Sequence, residues 1–232
     1  MQYLLLVRVD NDADPTPGES DPSAWDAAVQ SDGSLLLAER LAEPSDATTV
    51  RVRDGKMLRT DGPFAEYKEH IGGLALIEAP DLDAAVAIAA QHPVATFGSM
   101  EVREVWPFGA GEVDVDAPAG SVTMNYALLM GAVPDAPPAG PDTMPPTDWF
   151  EEMRRCGIVH DGARLRPTDE ARTVRRRGGE VLCVHGPHAE VQEQVAGFGL
   201  IPAADLDEAI EITAGHPGAW LGAVEIRPLW TP

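Results

Sequence analysis

The chain carries the same module twice. Gly62-Pro63 recurs as Gly186-Pro187 and His92-Pro93 as His216-Pro217, each pair 124 residues apart. The same offset carries Trp25 onto Trp149, Gly33 onto Gly157, Leu41 onto Leu165, and Glu101 and Arg103 onto Glu225 and Arg227. Self-similarity at a fixed period means one supersecondary unit built twice, so any fold for one half must serve the other. The copies differ most where the first reads Asp61-Gly62-Pro63-Phe64-Ala65-Glu66 and the second His185-Gly186-Pro187-His188-Ala189-Glu190. The repeat divides the chain into module one, residues 1–107, a linker, 108–121, and a degenerate module two, 122–232.

Each module is long enough for a core of its own, though a small one. Against 38 acidic residues stand 17 basic ones, a formal net charge of −21. Nucleic acid is therefore excluded as a partner, because neutralising phosphates needs a basic face, and an anionic membrane surface is excluded for the same reason. The charge is expected to serve solubility. Cys156 and Cys183 form neither a metal spacing nor a CxxC pair, so a reducing cytoplasm is the expected compartment. The first residues, Met1 to Arg8, contain an apolar run too short for a signal peptide, and no stretch reaches membrane-spanning length.

Within module one, Tyr3 to Val9 has the pattern of a buried strand. An acidic loop, Asp10 to Asp21, precedes a helix starting at Asp21-Pro22-Ser23 and striped by Trp25, Ala28 and Val29. Leu35 to Ala38 is a short strand. Asp54-Gly55 between Thr48–Arg53 and Lys56–Thr60 is a strong hairpin signal. A strand at 73–78, a helix capped by Asp81 and ended by Pro93, and a strand from Gly98 to Trp106 complete the module. Module two repeats this order, with its hairpin at Gly178-Gly179. Strand, helix, strands, helix, strand is the ferredoxin-like split βαβ arrangement, an α+β fold with both helices on one face of an antiparallel sheet.

The Thr-Val-Arg-Val-Arg-Asp-Gly hairpin, the Asp-Gly-Pro-Phe-Ala-Glu turn, the Asp-Leu-Asp helix start and the closing Glu-Val-Arg resemble the YCII-related, or DGPF, domain. The resemblance covers nearly all of module one and most of module two. It implies two ferredoxin-like sheets packed as a dimeric α+β barrel, here within one chain as an intrachain pseudo-dimer, with further homo-oligomerisation left open. Some relatives look like small-molecule enzymes, and others stand beside alternative sigma factors in actinobacterial genomes. In YCII-type relatives a carboxylate before the helix-ending proline pairs with a histidine from the first helix. Here that position holds His92, and the first helix offers Asp26, so the pair would have to be swapped.

Alternation along the last strand turns Met100 and Val102 one way and Glu101 and Arg103 the other. With the apolar pair under the helices, Glu101 and Arg103, and likewise Glu225 and Arg227, face the inter-sheet space. They are candidates for binding a polar ligand, or self-satisfied ion pairs that fix module docking. Asp61 is a candidate general base, or a cap within its turn. His92 is a candidate partner in acid–base work, or an imidazole set against a helix C-terminal dipole. His216 is its equivalent in module two, and His188, at the position of Phe64, is the candidate that module two would add. His185, His188, Glu190 and His216 could converge on a divalent metal only if folding brought them together, and no metal site is expected. Arg172, Arg175, Arg176 and Arg177 read as a solvated edge, and Cys183 as a buried thiol in an apolar strand. There is no P-loop, dinucleotide fingerprint or nucleophile triad, so no cofactor is expected. Two functions fit: a protein that binds or transforms a small polar metabolite in the inter-sheet cleft by cofactor-independent acid–base chemistry, or a non-catalytic accessory protein in stress or sigma-factor signalling.

Overall fold

The computed structural model describes residues 1–65, 68–106, 123–132, 146–156, 161–187 and 194–231. The expected linker lies outside these residues. The first repeat provides β1 (Gln2–Asp10), α1 (Pro17–Ser20), α2 (Ser23–Ser31), β2 (Leu35–Arg40), β3 (Thr48–Arg53), β4 (Lys56–Asp61), β5 (Glu69–Glu78), α3 (Leu82–Gln91) and β6 (Ser99–Trp106). The second provides β7 (Tyr126–Ala132), α4 (Pro146–Arg155), β8 (Asp161–Leu165), β9 (Arg172–Arg177), β10 (Glu180–His185), β11 (Gln194–Ile201), α5 (Leu206–Gly215), α6 (Pro217–Leu221) and β12 (Ala223–Pro228). No helix among the described residues is long and apolar enough to cross a membrane.

Two compact units form, and they do not follow the repeat boundaries. Unit one is Met1–Leu41 and Glu66–Val105 together with Leu165–Glu190. Unit two is Trp106–Arg164 and Val191–Pro232 together with Ala42–Ala65. Each unit therefore takes its outer hairpin from the other repeat. In unit one the antiparallel order is β2-β5-β1-β6-β9-β10, with Glu101 of β6 opposite Thr173 of β9. In unit two it is β8-β11-β7-β12-β3-β4, with Glu225 of β12 opposite Thr49 of β3.

The helices lie on one face of each sheet, as the periodicity requires. In unit one Trp25 and Val29 of α2 and Ala85 and Ala89 of α3 share a core with Leu5, Ile77, Met100 and Val102, and Val174 of the incoming hairpin joins it. In unit two Trp149, Ala209 and Ile210 pack on Leu128, Val224 and Ile226, and the incoming Val50 and Val52 join them. Burying residues such as Val50, Val52 and Val174 at about 1.5–3 kcal/mol each holds the incoming hairpins on their sheets. Asp81 and Asp205 cap α3 and α5, accepting from the amides of Ala84 and Glu208 at 2.8 and 3.0 Å.

Polar latches, the same in both units, hold the hairpins in place. Arg177 donates to the carbonyls of Ala95 and Thr96, both at 2.8 Å, and of Gly98 at 3.3 Å, all beyond the end of α3. Its counterpart Arg53 donates to Ala219, Trp220 and Gly222 at 3.0, 3.2 and 2.7 Å. A guanidinium suits this task because its planar fork reaches several carbonyls at once. Thus part of the arginine cluster on β9, expected from the sequence to be a solvated edge, serves as a fastening.

The Gly-Pro turn is shared for a backbone reason. Gly62 and Gly186 sit at φ of 96° and 94°, which a side chain would strain. Their N–H groups donate to Ala47 and Ala171 at 2.8 and 2.9 Å, and their carbonyls accept from Thr49 and Thr173 at 2.8 and 3.1 Å. Asp61 makes no turn cap. Its carboxylate is 89% exposed and lies 3.7 Å from the Arg59 guanidinium, which is why His185 can replace it without loss of the turn.

Candidate functional site

Exchange of the β3–β4 hairpin brings first-repeat residues beside second-repeat ones inside unit two. At the open end of the hairpin, away from its Asp54-Gly55 turn, is an open groove of about 570 Å³. Its lining includes Asp46, Arg59 and Asp61 from the first repeat and Tyr126, Leu206 and Trp230 from the second. Arg59 lies between two carboxylates, 3.7 Å from Asp61 and 3.7 Å from Asp207 of α5. Burial, and then the charge of Asp205, hold the Tyr126 phenol above its ordinary value, so it presents a neutral hydroxyl. In unit one the positions 124 residues from Arg59 and Asp61 are Cys183 and His185, so the two units are chemically unlike at this place.

Glu101, Arg103, Glu225 and Arg227 lie on the sheet face opposite the helices and are almost wholly buried. In unit one Glu101 joins Arg8, whose Nη2 is 2.8 Å away, to Arg103, whose Nη1 is 3.2 Å away. Burial pushes the Glu101 carboxyl up, but Arg8 and Arg103 outweigh it and hold the group below the usual carboxylate range. Arg103 also donates to the carbonyl of Arg166 from the second repeat. In unit two Arg227 pairs with Glu225 and donates to the carbonyl of Ala42, from the first repeat, at 3.0 Å. These four residues bind one another and the backbone brought in with each hairpin. That geometry favours docking over ligand binding.

The two clusters differ in one respect that explains the Asp-Gly-Pro-Phe motif. Ala132 stands where the first repeat has Arg8, and Glu225 instead accepts the Phe64 N–H at 3.3 Å. The Phe64 ring lies on β7, where a Cβ at Gly131 would come within 3.3 Å of it. The motif's phenylalanine thus anchors the exchanged hairpin. His188, its counterpart, lies outside the described residues, as does Glu190.

His92 belongs to the helix layer, not to the charged face. Its ring meets Trp25 edge-on at 4.8 Å, and its Nδ1 accepts the Val94 N–H at 3.1 Å, which leaves the proton on Nε2. Asp26 is not among its partners. His216 repeats the arrangement with Trp149 at 4.3 Å and Gly218 N–H at 2.9 Å. Burial drives His92 down to about 4 and His216 to about 3. Each is therefore a neutral cap on the following turn, not a cation set against a helix dipole. His185 is exposed on β10. The expected buried thiol is not found: Cys183 is exposed, because β10 is the outermost strand of its sheet.

Protonating the two histidines costs the fold, and the sign follows from linkage. Between about pH 6.5 and 4 the unfolded chain binds more protons at these positions than the folded chain, so stability falls as pH drops through that window. The slope approaches about 1.4 kcal/mol per pH unit for each histidine. Urea titrations at pH 7, 6 and 5 should show this loss, and the His92→Asn, His216→Asn double variant should flatten it. An unchanged slope in the variant would contradict the assignment.

A sequence model of the YCII-related domain matches residues 1–109 and 124–231. The chain thus belongs to the YCII-related domain family, with two copies of the domain. An uncharacterized protein of Rhizobium meliloti (strain 1021) is 44% identical over 84 residues, which are 34% of this chain and 64% of that protein. The match thus spans less than two thirds of that relative.

Proposed function

We propose that this YCII-related protein binds a small polar metabolite in the unit-two groove, with Asp61 as the principal polar contact. The observation that carries the reading is the groove itself. Its volume falls within the roughly 300–1,000 Å³ usual for small-molecule sites. It combines apolar walls with a few convergent polar groups, and Asp61 is the residue of the expected set of site residues that lines it. Binding is favoured over turnover because the Asp61 carboxylate, 89% exposed, lies in water and not in the enclosed setting in which general bases act.

Native mass spectrometry of the full chain, incubated with a pooled metabolite extract, tests this. The expected result is a discrete mass excess that the Asp61→Asn, Trp230→Ala double variant loses. A bare chain in both proteins contradicts the reading. The accessory-protein reading has an observation of its own. Met57 and Leu58 on β4, and Val181, Leu182 and Val184 on β10, are all about half exposed on sheet edges, where a protein partner could add a strand.

A further inference from the structure

We infer that the groove selects an organic cation, an ammonium group on a short aliphatic chain, over an anionic metabolite. The inference rests on the binding reading above and gives it a ligand class. Three observations support it. First, the one basic side chain among the described residues of the lining has its charge already matched, since Arg59 lies 3.7 Å from both Asp61 and Asp207. Asp46 adds another carboxylate to the wall, and Asp205 lies close enough to disfavour ionisation of Tyr126. An anion entering here meets carboxylates before it meets an unmatched guanidinium, whereas an ammonium ion meets two acceptors, Asp46 and Asp61.

Second, the second-repeat part of the lining suits a cation with an apolar tail. Trp230, 46% exposed, and Tyr126 are both in the lining. Aromatic faces attract ammonium groups through the ring quadrupole. Leu206, Pro228 and Leu229 provide the apolar surface that methylenes need. Third, the net charge of −21 raises the local concentration of cations around the chain and slows the approach of anions. The chemistry is not repeated in unit one, where Cys183 and His185 replace Arg59 and Asp61. One binding event per chain is expected.

The test is isothermal titration calorimetry of the full chain at low ionic strength with 1,4-diaminobutane and, separately, succinate, which has the same carbon count and opposite charge. Saturable binding of the diamine at one site is expected, weakened about tenfold or more by Asp61→Asn and by Trp230→Ala. His185→Asn in the other unit should leave it unchanged. These side chains are exposed, so circular dichroism should show all three variants folded. Succinate binding that is lost in Arg59→Ala, with no diamine binding, would overturn the ligand class while leaving the groove a binding site. Diamine binding indifferent to both groove variants would overturn the placement. Binding of neither probe overturns the cation inference; the groove reading itself falls only if the metabolite-extract measurement also returns a bare chain.

Discussion

Glu101→Gln is expected to be among the most damaging single substitutions in unit one, costing about 3–5 kcal/mol. Glu101 is 1% exposed and holds two guanidiniums, Arg8 at 2.8 Å and Arg103 at 3.2 Å. Replacing it by a neutral amide removes the carboxylate that the two buried guanidiniums share, and that penalty exceeds the worth of the pairs themselves. The matching change in unit two should cost less, about 2 kcal/mol. There Glu225 is held by Arg227 and the Phe64 N–H, and Ala132 replaces the second arginine. Urea unfolding of both variants checks the difference. Equal losses would mean that Arg8 does not share the Glu101 site.

Arg177→Ala and Arg53→Ala should each cost about 2–3 kcal/mol, and each should loosen the hairpin that carries it. Three carbonyls beyond α3 lose their charged donor in the first variant, and three around the end of α6 lose theirs in the second. Lysine at either position should recover less than half, because a single ammonium cannot reproduce the fork. Hydrogen exchange gives the location. Arg177→Ala should raise exchange in β9, β10 and the turn after α3, elements that belong to different repeats. Faster exchange confined to the second repeat would show that Arg177 is not latched across.

The repeat, the element order, the Asp54-Gly55 hairpin, the caps at Asp81 and Asp205 and the inward pair Met100 and Val102 were all legible in the sequence, because each follows from local pattern. Asp54 and Gly55 do take positive φ, 53° and 70°. The exchange of hairpins was not legible. The last strands read Glu-Val-Arg and Glu-Ile-Arg, so β3 or β9 could pair equally well with either, and only tertiary closure chooses. Arg53 and Arg177 are likewise 124 residues apart, in step with the carbonyls that they reach, so their spacing too fits either pairing. Cys183 misled for a related reason. An apolar run predicts burial only where a neighbouring strand or helix covers it, and β10 is an edge. The proposed groove was foreshadowed by one residue. Asp61 stood out, but Tyr126, Leu206 and Trp230 join it only because the exchange carries the hairpin to the other repeat.

The exchange is thus the central claim, and cross-strand amide contacts test it most directly. In a perdeuterated sample, nuclear Overhauser effects should link β3 to β12 around Thr49 and Glu225, and β9 to β6 around Thr173 and Glu101. Contacts from β3 to β6, and from β9 to β12, would instead place each hairpin on its own repeat, and would dismantle the groove with it.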